Sequence, residues 1–321
     1  MLKAVLTDRL EHHPERKRAA VARFSPDAET ATHDGLWFPF PPQRPKRYHF
    51  PPQTQGLNRI SCALHRSANI GAMVDESGTP PPPPTVVVRN NPTALAAAAA
   101  SWLAAALRTA IGRRGTATLG VSGGSTPGLL FAALGEEDVA WAFVHVLQVD
   151  ERIAPDGDPD RNLTELQATL LDRVPLPTTN FHAMPVSGLL GRTPPSASTA
   201  DAAAAHYSAT IDRLCGGVID VVHLGLGDDG HTASLVPGDP VLDVTDHDVA
   251  VTGEYRGRRR MTLTYPVLDR AGAILWLVAG PAKASVLPKL VGHDVQVPAG
   301  RVRNENAVVF ADAAAAVQLA D

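Results

Sequence analysis

The chain has few of the residues that build disulfide frameworks or thiolate metal sites. Its 321 residues include two cysteines, Cys62 and Cys215, which are too few for a disulfide scaffold or a cysteine-based zinc site. The net charge of -4 at pH 7 offers no basic surface of the kind that nucleic acid binds. We therefore expect neither a disulfide-rich protein nor a nucleic-acid partner.

Long hydrophobic runs are also missing. The most apolar segment, residues 94–107, is mostly alanine, ends before Arg108 and is shorter than the ~20 residues that cross a bilayer. The first 13 residues lack the apolar core of a signal peptide. We therefore expect a cytoplasmic protein that has no membrane partner. The sequence identifies no protein partner.

Proline is distributed unevenly along the chain. Residues 1–84 hold 13 of the 28 prolines and show no sustained apolar period. Such segments favour extended, solvated conformations, because they bury too little surface to offset the entropy of ordering. We predict a disordered extension over residues 1–84 and a folded domain over residues 85–321. An alternative is that the protein starts at Met73, which a peptide from residues 1–72 would contradict.

From Thr85 onward, strand-like segments alternate with helix-like segments. The predicted strands cover residues 85–88, 117–121, 142–149, 180–184, 219–224, 248–252, 260–265, 272–279 and 307–310. The predicted helices cover residues 93–112, 161–172, 198–213 and 281–290, with one that begins near Thr126 and an alanine-rich one at the C-terminus. This alternation predicts an α/β fold, with a mostly parallel sheet and helices on both of its faces.

A glycine-rich turn separates the strand at 117–121 from the following helix. Glycines let the backbone approach a ligand closely, and the helix N-terminus directs unpaired N–H groups towards it. The turn is therefore a candidate anion site, formed by Gly123, Gly124, Ser125 and Thr126. It matches neither a Walker A loop nor G-x-G-x-x-G, so a nucleotide is not indicated. A tight turn without a ligand has the same composition.

The same turn also matches a second chemistry. Residues 120–124 fit G-x-S-x-G, the nucleophile elbow of serine hydrolases, in which Ser122 would be the nucleophile. Such enzymes need a downstream histidine, and His231, His247 and His293 are available. The Ser-Thr-Pro that follows is not expected in such an elbow.

A histidine follows the strand at 219–224. Two glycines and an Asp-Gly step end this strand, and they place His231 and Asp229 near its carboxyl end. Open α/β sheets bind ligands beyond the carboxyl ends of their strands, and histidine is suited to proton transfer near neutral pH. His231 is therefore a candidate catalytic residue. The alternative is a glycine-rich turn with a solvated histidine.

Charged residues flank three further strands. Asp150, Glu151 and Arg152 end the strand at 142–149, where they suit proton handling and phosphate recognition. Lys283 lies near a helix start, where a cation opposes the helix dipole and calls for an anion. Three arginines, at positions 258–260, directly precede Met261 in the strand at 260–265. Residues 156–167 imitate a calcium loop but lack its glycine and its bidentate glutamate, so no metal site is predicted.

Taken in order, these segments resemble the 6-phosphogluconolactonase family, which shares a fold superfamily with glucosamine-6-phosphate deaminase. The resemblance extends from about residue 85 to residue 318 and rests on residues 122–127, 150–152, 227–235, 260–264 and 280–284. Asp-Glu-Arg together with Asp-Gly-His-Thr-Ala-Ser distinguishes the lactonase from the deaminase, which typically has an aromatic residue in place of Arg152. Arg161 and Val236 depart from the family pattern, which usually has serine and phenylalanine there.

The resemblance implies a modified Rossmann-like, deaminase-like fold and the hydrolysis of 6-phosphoglucono-δ-lactone to 6-phosphogluconate in the pentose phosphate pathway. It implies that His231 activates water and that Asp229 or Asp150 orients the imidazole. The phosphate would be held by residues 123–126 with Arg152, Arg260 and Lys283, although the exact ligand among Arg258, Arg259 and Arg260 stays open. No metal or organic cofactor is implied. A sugar-phosphate-binding regulatory domain without catalysis is a further alternative.

Overall fold

Seven parallel strands form the central sheet of this computed structural model, which describes residues 83–123, 127–190, 197–303 and 305–319. The strands are β1 (Thr85–Arg89), β2 (Ala117–Val121), β3 (Val144–Gln148), β5 (Phe181–His182), β6 (Val221–Gly225), β9 (Ile274–Val278) and β10 (Ala307–Asp312). Their order across the sheet is β1-β10-β9-β6-β2-β3-β5. The predicted extension over residues 1–84, apart from Pro83 and Pro84, lies outside the described residues, as does Met73.

A second, antiparallel sheet contains three short strands. These are β4 (Asp150–Arg152), β7 (Val249–Val251) and β8 (Arg260–Leu263), in the order β4-β8-β7. Val149 connects the two sheets, because its N–H donates to the Val121 carbonyl of the central sheet while its carbonyl accepts from Leu263 N in the second. The sequence predicted strands at 248–252 and 260–265, but it did not predict that they form a separate sheet.

Helices cover both faces of the central sheet, as the predicted fold class requires. They are α1 (Pro92–Arg114), α2 (Pro127–Gly135), α3 (Asn162–Leu166), α4 (Ala197–Cys215), α5 (Tyr265–Asp269), α6 (Leu287–Val291) and α7 (Pro298–Arg301). Side chains alternate along β9. Leu275 and Leu277 pack in one core with α1 and α2, whereas Ile274, Trp276 and Val278 pack in a second core with α4, α5 and α6.

The longest helix, α1, has clear boundary signals. The Asn91 side chain caps its first turn by accepting the Ala94 N–H at 2.8 Å, and Gly115 ends it with a φ of 81°. The helix has 23 residues, so it is longer than predicted, and by length and composition alone it is able to cross a bilayer. Its leucines at positions 95, 103 and 107 are buried in the core beside β10 and α2, which makes α1 a core helix.

Two predicted helices are wrong in extent. The helix predicted over residues 281–290 is divided into a 3-10 turn, Pro281–Lys283, and α6. Pro288 explains the division, since proline lacks the N–H that a continuous helix would need and its ring clashes with the preceding turn. The alanine-rich C-terminal helix is reduced, within the described residues, to the 3-10 turn Ala316–Gln318. There the Ala315 N–H donates to the Asp312 carboxylate instead.

Candidate active site

One pocket of about 220 Å³ lies where the carboxyl ends of β2, β6 and β9 meet strands of the second sheet. Five segments that are far apart in sequence contribute to its wall. The predicted site residues that line it are Gly123, Asp150, Arg152, His231, Arg260 and Lys283. Gly124, Ser125 and Thr126 lie outside the described residues, so their predicted role in anion binding stays a prediction.

Two glycines in the turn after β6 permit the position of the histidine. A Cβ at Gly227 would lie 2.1 Å from His231 Nδ1 and 2.6 Å from Asp229 Oδ1, which no side chain allows. Gly230 has a φ of 85°, and a Cβ there would lie 2.6 Å from the Cβ of Val297. Both positions therefore require glycine: Gly227 lets the imidazole and the carboxylate pack against bare backbone, and Gly230 lets the turn pack against Val297.

Asp229, His231 and Tyr255 form a hydrogen-bonded set that we call the histidine group. Oδ1 of Asp229 lies 2.5 Å from Nδ1 of His231, and Oδ2 accepts the Tyr255 hydroxyl at 2.8 Å. The rings of His231 and Tyr255 meet edge to face, with centroids 5.6 Å apart. Because Nδ1 faces the carboxylate, Nε2 is the ring nitrogen left to act on a molecule in the pocket.

Asp229 is held in its ionised form. Partial burial raises its pKa, but hydrogen bonds from the His231 backbone, the Tyr255 hydroxyl and the His231 ring outweigh burial and bring the pKa to about 2. The carboxylate therefore accepts a hydrogen bond from Nδ1–H at neutral pH and stabilises the imidazolium that forms when Nε2 takes a proton. This geometry suits His231 for general base catalysis.

Arg152, Arg260 and Lys283 line the same pocket, and we call them the cationic group. Arg152 and Arg260 are cross-strand partners on β4 and β8. Within the described part of the chain, none of the three lies within 4.0 Å of a carboxylate oxygen. The buried Nε atoms of both arginines also have no hydrogen-bond acceptor among those residues. A buried guanidinium N–H without an acceptor at a pocket wall fits an anionic ligand.

The structure distinguishes the three consecutive arginines. Arg258 pairs with Asp158 at 3.1 Å and with Asp160 at 3.0 Å. Arg259 donates its Nε to the Thr252 carbonyl and lines a separate cavity. Arg260 lines the pocket itself, so it is the arginine of the three that is placed to bind an anion there.

Asp150 is placed differently from Asp229. Its Oδ2 accepts the Ser234 hydroxyl at 2.6 Å, and its Oδ1 accepts the Asn162 amide at 3.0 Å. Burial raises its pKa, opposed by the bond from Ser234 and by Arg152. Of the two aspartates that the sequence left open, the geometry brings Asp229 to the imidazole. Asp150 instead connects β4 to α3 and to the loop after β6.

Ser122 has no base in contact with it. Its hydroxyl donates to the His223 carbonyl at 3.0 Å, and among the described residues no imidazole nitrogen bonds to it. A serine nucleophile requires an activating base within hydrogen-bond reach. The geometry therefore gives no support to the serine hydrolase alternative.

Comparison with known proteins decides the family. The family described as glucosamine-6-phosphate isomerases/6-phosphogluconolactonase matches residues 90–310. The chain belongs to this family. The resemblance seen in the sequence and the predicted fold class are both confirmed.

Three relatives illustrate how far the similarity extends. The 6-phosphogluconolactonase of Synechocystis sp. is 34% identical over 210 residues, which are 63% of this chain and 83% of that protein. That of Nostoc sp. is 35% identical over 219 residues, or 66% of this chain and 89% of that protein. The structure of 6-phosphogluconolactonase from Trypanosoma brucei shares the fold, with a TM-score of 0.66 and 24% identity over 74% of this chain and 99% of that one.

In this family member, Glu151 and Arg161 support the residues that form the site. Nε of the buried Arg161 lies 3.0 Å from Oε2 of the buried Glu151, and its Nη1 donates to the Ala154 carbonyl. Glu151 also accepts the backbone N–H groups of Arg152 and Asn162. Arg161, which departs from the family pattern, therefore anchors the β4–α3 loop and does not line the pocket.

The sequence did not indicate a role in the site for Asn162 and His223, which line the pocket, or for Tyr255, which contacts Asp229 beside it. Asn162 donates a hydrogen bond to Asp150, and Tyr255 donates one to Asp229. No local pattern in the sequence indicates either hydrogen bond. His223 lies on β6 and lines the pocket, and neither of its ring nitrogens has a hydrogen-bond partner among the described residues. Burial lowers its pKa to about 3, so it is neutral at physiological pH. The sequence around a histidine in an apolar strand is the same whether its side chain lines a pocket or lies in the core, so the role of His223 could not be predicted.

Proposed function

We propose that this protein hydrolyses 6-phosphoglucono-δ-lactone to 6-phosphogluconate, a step of the pentose phosphate pathway. One observation carries the proposal: His231, which is paired with Asp229, lines the same pocket as three cations that have no carboxylate oxygen within 4.0 Å among the described residues. The first suits the activation of water, and the second suits the binding of a phosphate. Family membership and the similarity to 6-phosphogluconolactonases support this substrate.

His231 carries the proton in the proposed reaction. Nε2 removes a proton from a water molecule as its oxygen bonds to the lactone carbonyl carbon. The resulting imidazolium is stabilised by Asp229 through Nδ1. When the bond between the carbonyl carbon and the ring oxygen breaks, Nε2 returns the proton to that oxygen. A positioned base of this kind accelerates a reaction by ~10²–10⁴-fold.

The cationic group binds the phosphate in this scheme. Arg152 and Arg260 supply charge-assisted N–H donors, and Lys283 supplies a third positive charge. Residues 123–126, predicted from the sequence, would add backbone N–H groups to the phosphate or to the oxyanion that develops at the carbonyl carbon. Binding energy from the remote phosphate then orients the lactone towards His231. The scheme calls for no metal or organic cofactor, and a cytoplasmic location stays a prediction.

A lactone-hydrolysis assay tests the proposal when the rate is corrected for spontaneous ring opening. We expect the full-length protein to accelerate hydrolysis and the Ser122→Ala variant to stay active. A protein that binds 6-phosphogluconate without exceeding the spontaneous rate would be a binding domain. Loss of activity in Ser122→Ala, together with covalent labelling of the wild type by a serine-directed phosphonate, would favour the serine hydrolase.

A further inference from the structure

Tyr255 reaches the proposed base from a separate part of the chain. It lies in the turn between β7 and β8, where its N–H donates to the Arg258 carbonyl at 3.0 Å. Its hydroxyl donates to Oδ2 of Asp229, the oxygen that does not contact the imidazole. The two oxygens of one carboxylate therefore connect the tyrosine to the histidine.

Several contacts hold the tyrosine ring in place. The guanidinium carbons of Arg256 and Arg260 lie 5.1 and 4.9 Å from the ring centroid, within the range of cation–π contacts. The charged groups around the ring are these two arginines from its own hairpin and Asp228 and Asp229 from the loop after β6. Arg256 also lies 3.6 Å from Asp228, so the hairpin docks on that loop at a second point.

We propose that Tyr255 is a positioning residue for the reaction, and that its hydroxyl fixes the Asp229 carboxylate so that Oδ1 keeps the His231 imidazole in one tautomer and one orientation. The inference rests on the proposed function. The terminal torsion of an aspartate has a broad energy well, so a carboxylate held at one oxygen alone turns easily. A second donor at Oδ2 removes that freedom.

The hydroxyl also has an electrostatic effect, and its sign can be worked out. A donor at Oδ2 lowers the basicity of the carboxylate and weakens its attraction for the imidazolium. Removing the donor makes Asp229 more basic, so the carboxylate attracts the imidazolium form of His231 more strongly. Because protonated His231 is not a base, the acid limb of the kcat/KM profile then moves to higher pH.

The Tyr255→Phe variant tests this, since it removes the hydroxyl and keeps the ring that packs against His231, Arg256 and Arg260. Hydrogen bonds to charged groups are stronger than those between neutral groups, so we expect kcat to fall by about tenfold or more, with KM nearly unchanged. The acid limb should rise by a few tenths of a pH unit. Tyr265→Phe is the matched control, because it loses a hydroxyl bond to the Pro298 carbonyl away from the pocket. It should leave kcat, KM and the acid limb unchanged.

Two outcomes would overturn the inference. Unchanged kcat and an unchanged acid limb would show that the hydroxyl does not act on His231. A rise in KM with an unmoved acid limb would show that Tyr255 only supports Arg260. An NMR titration of the His231 imidazole, in wild type and in Tyr255→Phe, measures the effect of the Tyr255 hydroxyl on His231 independently of turnover. If the midpoint of this titration moves to higher pH in Tyr255→Phe but the protein does not hydrolyse the lactone, the proposed function is contradicted. The hydrogen-bonded connection from Tyr255 through Asp229 to His231 is then still supported.

Discussion

The cationic group lines the pocket and the histidine group reaches it through His231, but the two groups differ in how their charges are compensated. In the histidine group, Asp229 accepts hydrogen bonds from Tyr255 and from both the backbone and the ring of His231. In the cationic group, the buried Nε atoms of Arg152 and Arg260 have no acceptor among the described residues. The chain itself therefore satisfies the Asp229 carboxylate, whereas it leaves donors of the two arginines open to the anion that the proposed function assigns to them.

This difference predicts separable effects on binding and on chemistry. Arg152→Met should raise KM and weaken 6-phosphogluconate binding by about 10- to 100-fold, since it removes a charge-assisted donor at the pocket wall. Arg152 is preferred to Arg260 for this test because Arg260 also contacts the Tyr255 ring. The acid limb of the pH profile should not move, because Asp229 and His231 are untouched.

Arg259→Met is the matched control for the cationic group. Arg259 neighbours Arg260 in sequence but lines a separate cavity, so its loss should leave KM nearly unchanged. Thermal unfolding checks that Arg152→Met folds, because Arg152 also donates to the Asp160 carbonyl. Equal KM values in Arg152→Met and wild type would mean that the cationic group is not the phosphate site.

A smaller effect is expected at His223, which belongs to neither group. Its pKa is about 3 in the folded protein against 6.5 when exposed, so the unfolded chain binds more protons between these values. Stability from this residue is therefore lost as pH falls below 6.5, by up to ~1.4 kcal/mol per pH unit. His223→Leu removes this dependence, and its stability relative to wild type should improve by about 1–2 kcal/mol between pH 7.5 and pH 5.

Urea unfolding of both proteins at the two pH values measures the difference. Burial also lowers the pKa of His182, to about 4, but His182 is present in both proteins and its contribution cancels. A stability difference that is independent of pH would mean that His223 is not held neutral by burial.

The contrast between the two groups also explains what the sequence could predict. His231 and Asp229 lie in one glycine-rich segment, and local spacing alone brings them together. Arg152 was predicted because it ends a strand, since residues at strand ends collect at one edge of a parallel sheet. The α/β class followed from the alternation of strands and helices over residues 85–310.

Features that depend on contacts between distant segments could not be predicted. The second sheet forms by the pairing of β4 with β8 and of β8 with β7, and strand propensity does not indicate which strands pair. The choice between Asp229 and Asp150 depends on Ser234 and Asn162, which come from two other elements. Tyr255 joins the histidine group only through the docking of its hairpin.

The most direct test of the central claim measures both functions of the pocket in His231→Ala. Hydrolysis above the spontaneous rate should fall by ~10²–10⁴-fold, while the affinity for 6-phosphogluconate stays close to that of wild type, because the cationic group is intact. Wild-type turnover in this variant would contradict the role of His231. Loss of product binding together with turnover would contradict the division of the pocket into one group for proton transfer and one for phosphate.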